Sequence, residues 1–271
     1  MAVQLWKHHE ARRDHMMQRR LLRLGGLTLA LAFVLVLAPL PALLPAQPAY
    51  AVLPERPLVV LLHGLNRSKQ SMAKMAQALK DGGFDVCNVG YPSSEFTVEV
   101  LAHDYVLPSV QQCLGANKQR PVNFVTHSMG GILVRQLRAN KEPLHFGRVV
   151  MLGTPNAGSE VVDKLGDWVL FQWWNGPAAQ ELGTGAPLLN KLGPTDLDVG
   201  IVAGNHSIDP IFSSMIPGDD DGKVSIEHAK LAGMRDFIVL PVSHPFLMRD
   251  DAVISQTINF LQTGKFRHPP P

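Results

Sequence analysis

The chain is 271 residues long, 46% hydrophobic and 18% charged, with a formal net charge of +2. That charge sits at the start: residues 1–51 carry six Lys/Arg against two Asp/Glu, leaving 19 against 21, a net of −2, in the remainder. A near-neutral stretch of about 220 residues has no basic stripe to neutralise phosphates, which argues against a nucleic-acid partner, and it is long enough for one α/β domain with a sizeable core.

From Leu21 to Leu44 the sequence is almost wholly apolar. Lys7, Arg12, Arg13, Arg19 and Arg20 precede it, Arg23 sits at its start, and Ala49-Tyr50-Ala51 follows it. A basic lead, an apolar run and a small-x-small site form the pattern of a secretory signal peptide over residues 1–51. The rival expectation is a retained inner-membrane anchor. Its Pro-free stretch, Leu24 to Ala38, is short for a span of about 20 residues, but the flanks extend it. Under both, the basic end stays in the cytoplasm and residues 52–271 are exported, to a periplasmic or extracellular location.

Beyond the linker at residues 52–57, strand-like and helix-like runs alternate. Leu58–Leu62 is continuously apolar, as in a strand buried on both faces. Met72, Met75, Ala76 and Leu79 recur at helical spacing before Gly82-Gly83. A strand is expected at Phe84–Val89 and a helix from Phe96 to Leu114, kinked or split by Pro108. Val122–Val125 reads as a strand and Ile132–Ala139 as part of a helix. Further strands follow at Arg148–Leu152, Val199–Ala203 and Phe237–Leu240. The last helix carries Val253, Ile254, Ile258, Phe260 and Leu261. This alternation predicts a mostly parallel sheet with helices on both faces, and active groups just beyond the carboxyl ends of its strands. Residues from about 160 to 195 break the rhythm and read as a cap insertion. Cys87 and Cys113 suit a disulfide in an oxidising compartment, with two buried free thiols as the alternative. There is no C-x-x-C and no metal-ligand spacing, so neither metal nor cofactor is expected.

Thr126-His127-Ser128-Met129-Gly130-Gly131 lies between an apolar strand and a helix. A serine at such a sharp turn projects its hydroxyl above the sheet, the arrangement of a nucleophile elbow, with Thr126 standing where G-x-S-x-G has its first glycine. Acyl transfer needs a base for that hydroxyl, an acid to orient the base, and donors for the oxyanion. His244 directly follows the last strand and is the expected base, with His206 and His228 as contenders and His127 expected to point away. The acid is expected after the Val199–Ala203 strand. Asp221, in Asp221-Gly222-Lys223-Val224, is favoured over Asp219, Asp220 and Asp209, because a glycine there permits a tight turn. Backbone N–H groups of Met129 and Leu65 are the expected oxyanion donors, Gly64 letting the backbone approach, and His63 is expected to bind loop carbonyls.

These segments together resemble the serine hydrolases of the α/β-hydrolase superfamily, on their lipase and esterase side. His63-Gly64-Leu65 is similar to the H-G-x oxyanion loop and residues 126–131 to G-H-S-x-G-G. Leu152-Gly153-Thr154-Pro155-Asn156-Ala157-Gly158-Ser159 resembles the L-G-T-P-x-x-G-S segment of many lipases and GPI-inositol-deacylase-like proteins. Residues 221–224 and 242–244 resemble the acid and histidine turns. The resemblance covers residues 58 to 262 and implies hydrolysis of carboxylic esters. Acyltransferase or thioesterase chemistry would use the same residues. A catalytically silent envelope binding protein is the reading of a different class. The insertion holds Trp168, Phe171, Trp173 and Trp174, expected either to line an acyl pocket or lipid interface or to pack as ordinary core. An apolar wall of that kind favours a small-molecule ester or lipid over charged substrates and leaves membrane association open, while oligomeric state is not legible.

Overall fold

Six strands are laid down in chain order: β1 (Leu58–Leu62), β2 (Asp85–Val89), β3 (Val122–His127), β4 (Phe146–Leu152), β5 (Asp198–Gly204) and β6 (Asp236–Leu240). The computed structural model describes residues 55–165 and 176–269. The strands form one sheet in the order β2-β1-β3-β4-β5-β6, every neighbouring pair parallel. Parallel pairing requires crossovers, and the helices that make them cover both faces.

The pleat divides the core. Leu58, Val60 and Leu62 of β1 and Val149 and Met151 of β4 face one layer. Val59 and Leu61, with Val150 and Leu152, face the other. The first layer is closed by α2 (Val98–Val100), a π-helical stretch (Leu101–Val106), α3 (Leu107–Leu114) and α4 (Met129–Ala139). The second is closed by α1 (Ala73–Asp81) and by the last long helix. Further α-helices include α5 (Glu160–Leu165), α6 (Pro187–Leu192), α7 (Pro210–Ser213), α8 (Ile226–Ala229) and that last helix, α9 (Asp251–Thr263).

The helix expected at 96–114 runs on through Pro108 but changes type before it, from α2 to a π-helical stretch and then to α3. The proline's missing N–H and its ring are accommodated by the π-helical turn directly before it, and Ser109 Oγ donates to the Tyr105 carbonyl at 2.7 Å. The segment starts at Val98 because Thr97 caps it, its side chain accepting from Val100 N–H. Glu181 Oε2 accepts from Val98 N–H at 2.7 Å, which ties the insertion to this helix. Ala178, Ala179, Leu182 and Leu189 of the insertion are buried, the first-layer core taking in Ala178, Leu182 and Leu189. Cys87 on β2 and Cys113 on α3 are joined as a disulfide.

Three expectations fall outside the described residues: the signal peptide or anchor over 1–51, the four cap aromatics Trp168, Phe171, Trp173 and Trp174, and the centre of the insertion. No helix among the described residues is long and apolar enough to cross a membrane.

Candidate active site

The chain leaves β1 toward β2 on one side and returns to β3 on the other. The strand order therefore reverses between β1 and β3, and loops leaving those strand ends part to form a crevice. Ser128 stands there, between the end of β3 and the first residue of α4. Its backbone adopts φ 54°, ψ −126°, a left-handed conformation that costs a residue with a side chain about 1–3 kcal/mol. The surroundings hold it in place: Ser128 N–H donates to Leu152 O at 2.8 Å, and Thr154 Oγ1 donates to Ser128 O at 3.0 Å. Thr126 is accommodated as a fully buried strand residue, its hydroxyl directed at Val150 O.

His244 follows β6 and Asp221 follows β5. Their side chains meet, His244 Nδ1 lying 2.8 Å from Asp221 Oδ2. A carboxylate only accepts, so Nδ1 carries the proton of this contact, and in the neutral ring the Nε2 lone pair is the free one. The other carboxylate oxygen accepts from Lys223 N–H at 3.0 Å and Val224 N–H at 2.9 Å. Asp221 O also accepts from His244 N–H at 2.8 Å, so the backbones are fastened as well. Gly222, at φ 95°, makes the turn that bends the chain back onto that carboxylate. The carboxylates of two rival acids, Asp209 and Asp220, are engaged elsewhere, and that of Asp219 is exposed. Asp209 caps α7 through Ile211 and Phe212 N–H, Asp220 accepts from Ser213 Oγ and Gly222 N–H, and the backbone carbonyl of Asp219 accepts from Ile226 N–H. His228 lies against Glu160 at 2.9 Å.

Leu65, His127, Ser128 and His244 open onto one cavity of about 160 Å³. Between the Ser128 hydroxyl and His244 no hydrogen bond is formed. Met129 begins α4, so its N–H has no intrahelical acceptor, and Leu65, in the loop after β1, lines the cavity with Ser128. His63 binds its loop as expected. It stacks on Tyr91 at 4.1 Å, its Nδ1 lies 2.9 Å from Gly64 O, and Tyr91 hydroxyl donates to His63 O. Burial lowers the His63 pKa.

His127 departs from expectation. It does not point away: its ring lies 4.8 Å from that of His244, and Nε2 donates to the His244 carbonyl at 3.0 Å. Burial above all, and then the neighbouring His244, hold its pKa well below the ordinary histidine value, so the ring is neutral. Sequence reasoning also missed Arg135. It is buried in α4 and donates to Asn156 O and Gly193 O, both at 2.8 Å, with burial pushing its pKa down to about 10. A charged residue on the buried side of an amphipathic helix was the available signal. The described part of the cavity wall is mixed in character. Besides Val161, Val162, Leu182 and Val224 it carries Arg67 and Lys223.

The architecture is the α/β-hydrolase fold. Residues 57–186 match the family model described as alpha/beta hydrolase fold. Among solved structures, the chain is similar to the lipase BlEst2 of Bacillus licheniformis in its mature form, with 22% identity and a TM-score of 0.61, covering 77% of this chain and 93% of that one. Against the propeptide form of that lipase the identity is 21% and the TM-score 0.63, with 80% of this chain and 53% of that one covered. An esterase of Pyrococcus furiosus gives 13% identity and a TM-score of 0.56, over 77% of this chain and 82% of that one. A sequence comparison with curated proteins finds no match.

Proposed function

We propose that this protein is an exported serine hydrolase of carboxylic esters, with Ser128 as nucleophile, His244 as base and Asp221 as orienting acid. The observation that carries the reading is the 2.8 Å Asp221–His244 contact at the cavity onto which the strained Ser128 opens. The names of the structural neighbours, a lipase and an esterase, agree with it. The proposal extends to the GPI-inositol-deacylase-like branch of these lipases, a reading supported by the likeness of residues 152–159 to their L-G-T-P-x-x-G-S segment.

His244 Nε2 takes the Ser128 proton as Oγ attacks the ester carbonyl. The serine–imidazole hydrogen bond that this needs forms as substrate binds, since such bonds tighten in the loaded enzyme. The oxyanion is received by the N–H groups of Met129 and Leu65. His244 then protonates the departing alcohol, leaving an acyl-serine, and a water deprotonated by the same imidazole releases the acid and restores Ser128. Asp221 fixes the tautomer and stabilises the imidazolium throughout. Residues 1–51 direct the domain out of the cytoplasm, cleaved or retained as an anchor. The test is hydrolysis of a short 4-nitrophenyl ester together with labelling by a fluorophosphonate probe. Turnover and stoichiometric labelling at Ser128, both lost in Ser128→Ala, are expected. A folded wild-type protein that is neither labelled nor active would sink the proposal.

A further inference from the structure

The substrate of this same site can be narrowed, on the reading that Ser128 attacks an ester. Arg67 and Lys223 line the cavity with Ser128 and His244. Among the described residues neither forms an ion pair. Lys223 is half-buried, and its ammonium rests over the Phe212 ring, 3.4 Å from the centroid, in place of a carboxylate contact. The backbone of Lys223 is fixed at both ends. Its N–H donates to Asp221 Oδ1 and its carbonyl accepts from Ser159 Oγ at 2.7 Å, so the turn that aims the acid also aims this cation. Burial lowers the Lys223 pKa, Asp209 and Asp221 counter this in part, and Arg67 adds to the lowering, which places the two cations within reach of each other's field.

Two mutually repelling cations in the wall of a reaction cavity are costly to desolvate unless the ligand brings negative charge. A neutral ester seated there would displace water from both and return nothing. We infer that the substrate is an ester bearing an anionic group, phosphate or carboxylate, close to the scissile carbonyl, and that Arg67 and Lys223 hold that group while the apolar wall takes the hydrocarbon. They are specificity residues, distinct from the groups that move protons.

Two length-matched pairs test this: 4-nitrophenyl hemiglutarate against 4-nitrophenyl pentanoate, and dibutyryl glycerophosphate against dibutyrylglycerol. The wild type is expected to favour the anionic member of at least one pair in kcat/KM. The pair that responds distinguishes a carboxylate from a phosphate source. The anionic-to-neutral ratio should fall about tenfold in Arg67→Gln, as expected for loss of one charge-assisted hydrogen bond, and again in Lys223→Met. Arg67→Lys and Lys223→Arg should restore most of it. Arg67 is exposed, so its variant carries the test even if Lys223→Met disturbs the acid turn. Equal or inverted ratios in the wild type, or ratios unmoved by Arg67→Gln, would overturn the inference. Calorimetric binding of the same esters to Ser128→Ala separates the two readings. Selective binding of the anionic ester without wild-type turnover removes the hydrolase and keeps the anion site, whereas turnover without selectivity does the reverse.

Discussion

The carboxylate of Asp221 accepts three hydrogen bonds, two from its own turn and one from His244, and is 1% exposed. Replacing it by Asn should preserve the turn while favouring the wrong imidazole tautomer, because an amide nitrogen facing Nδ1 demands an acceptor there. In the proposed mechanism kcat/KM for a short ester then falls about 10⁴-fold with an unchanged unfolding midpoint. Asp219→Asn, at an exposed carboxylate two residues earlier, should stay within about twofold of wild type, as surface substitutions do. Exchange of these two outcomes in steady-state assays would move the acid to Asp219. The Asp221–His244 contact was legible because Asp221 lies in the connection that leaves β5 and His244 in the one that leaves β6, and strand ends in a parallel sheet converge at one edge. What could not be read is anything decided by loops meeting from distant parts of the chain. His127 was expected to point outward from a local picture of the elbow, whereas its orientation is set by the carbonyl of His244, 117 residues away. Arg67 and Lys223 likewise become neighbours of Ser128 only once three loops are folded together.

At the scale of the element, the approach of α4 to β1 depends on Gly130. A Cβ there would stand 2.7 Å from Leu62 O and 3.0 Å from His63 O, both backbone atoms that cannot rotate aside. Gly130→Ala should therefore lower stability by about 1–3 kcal/mol, read as a shifted urea midpoint at constant slope. Gly185→Ala, where an added Cβ meets nothing within 4 Å, should not. Equal midpoints for the two variants would mean that α4 yields easily, and that the glycine pair in the elbow has some other reason. Strand ends were legible where the apolar run and the strand stop together. β1 begins and ends where its apolar run does, because both its faces are covered. β3 runs two residues past the last apolar side chain, since Thr126 and His127 are polar yet buried and paired with Met151 and Leu152. The π-helical turn before Pro108 was beyond reach: proline signals a disturbed helix, and the packing of Leu101, Val106 and Val110 decides that the chain absorbs it without breaking.

For the molecule as a whole, the Cys87–Cys113 bridge clips β2, at the sheet edge, to α3 across a separation of 26 residues. Its removal in Cys87→Ala/Cys113→Ala should cost about 3 kcal/mol by freeing the unfolded chain, measured as the midpoint shift against the oxidised protein. Among the described residues, two buried imidazoles with lowered pKa values, His63 and His127, bear most directly on stability near neutral pH. In the unfolded chain each imidazole takes up a proton near pH 6.5, while in the folded chain it resists doing so until the pH is lower. Below about pH 6.5 the unfolded state therefore binds more protons, and stability is lost as the pH falls, by up to about 1.4 kcal/mol per pH unit for each ring. Above that pH the contribution is complete. His103, raised by its contact with Glu142, works in the opposite sense, losing stability as pH rises, but it is exposed and solvent screens it. The buried pair sets the sign. Urea midpoints should accordingly fall between pH 7 and 5.5, above the range in which carboxylates titrate, and fall less steeply in His127→Gln, which keeps a donor for the His244 carbonyl without a group to protonate. A midpoint that is flat or rises on acidification would show that a charged imidazole is tolerated behind Ser128, and that the neutral tautomer assigned to His127 is wrong.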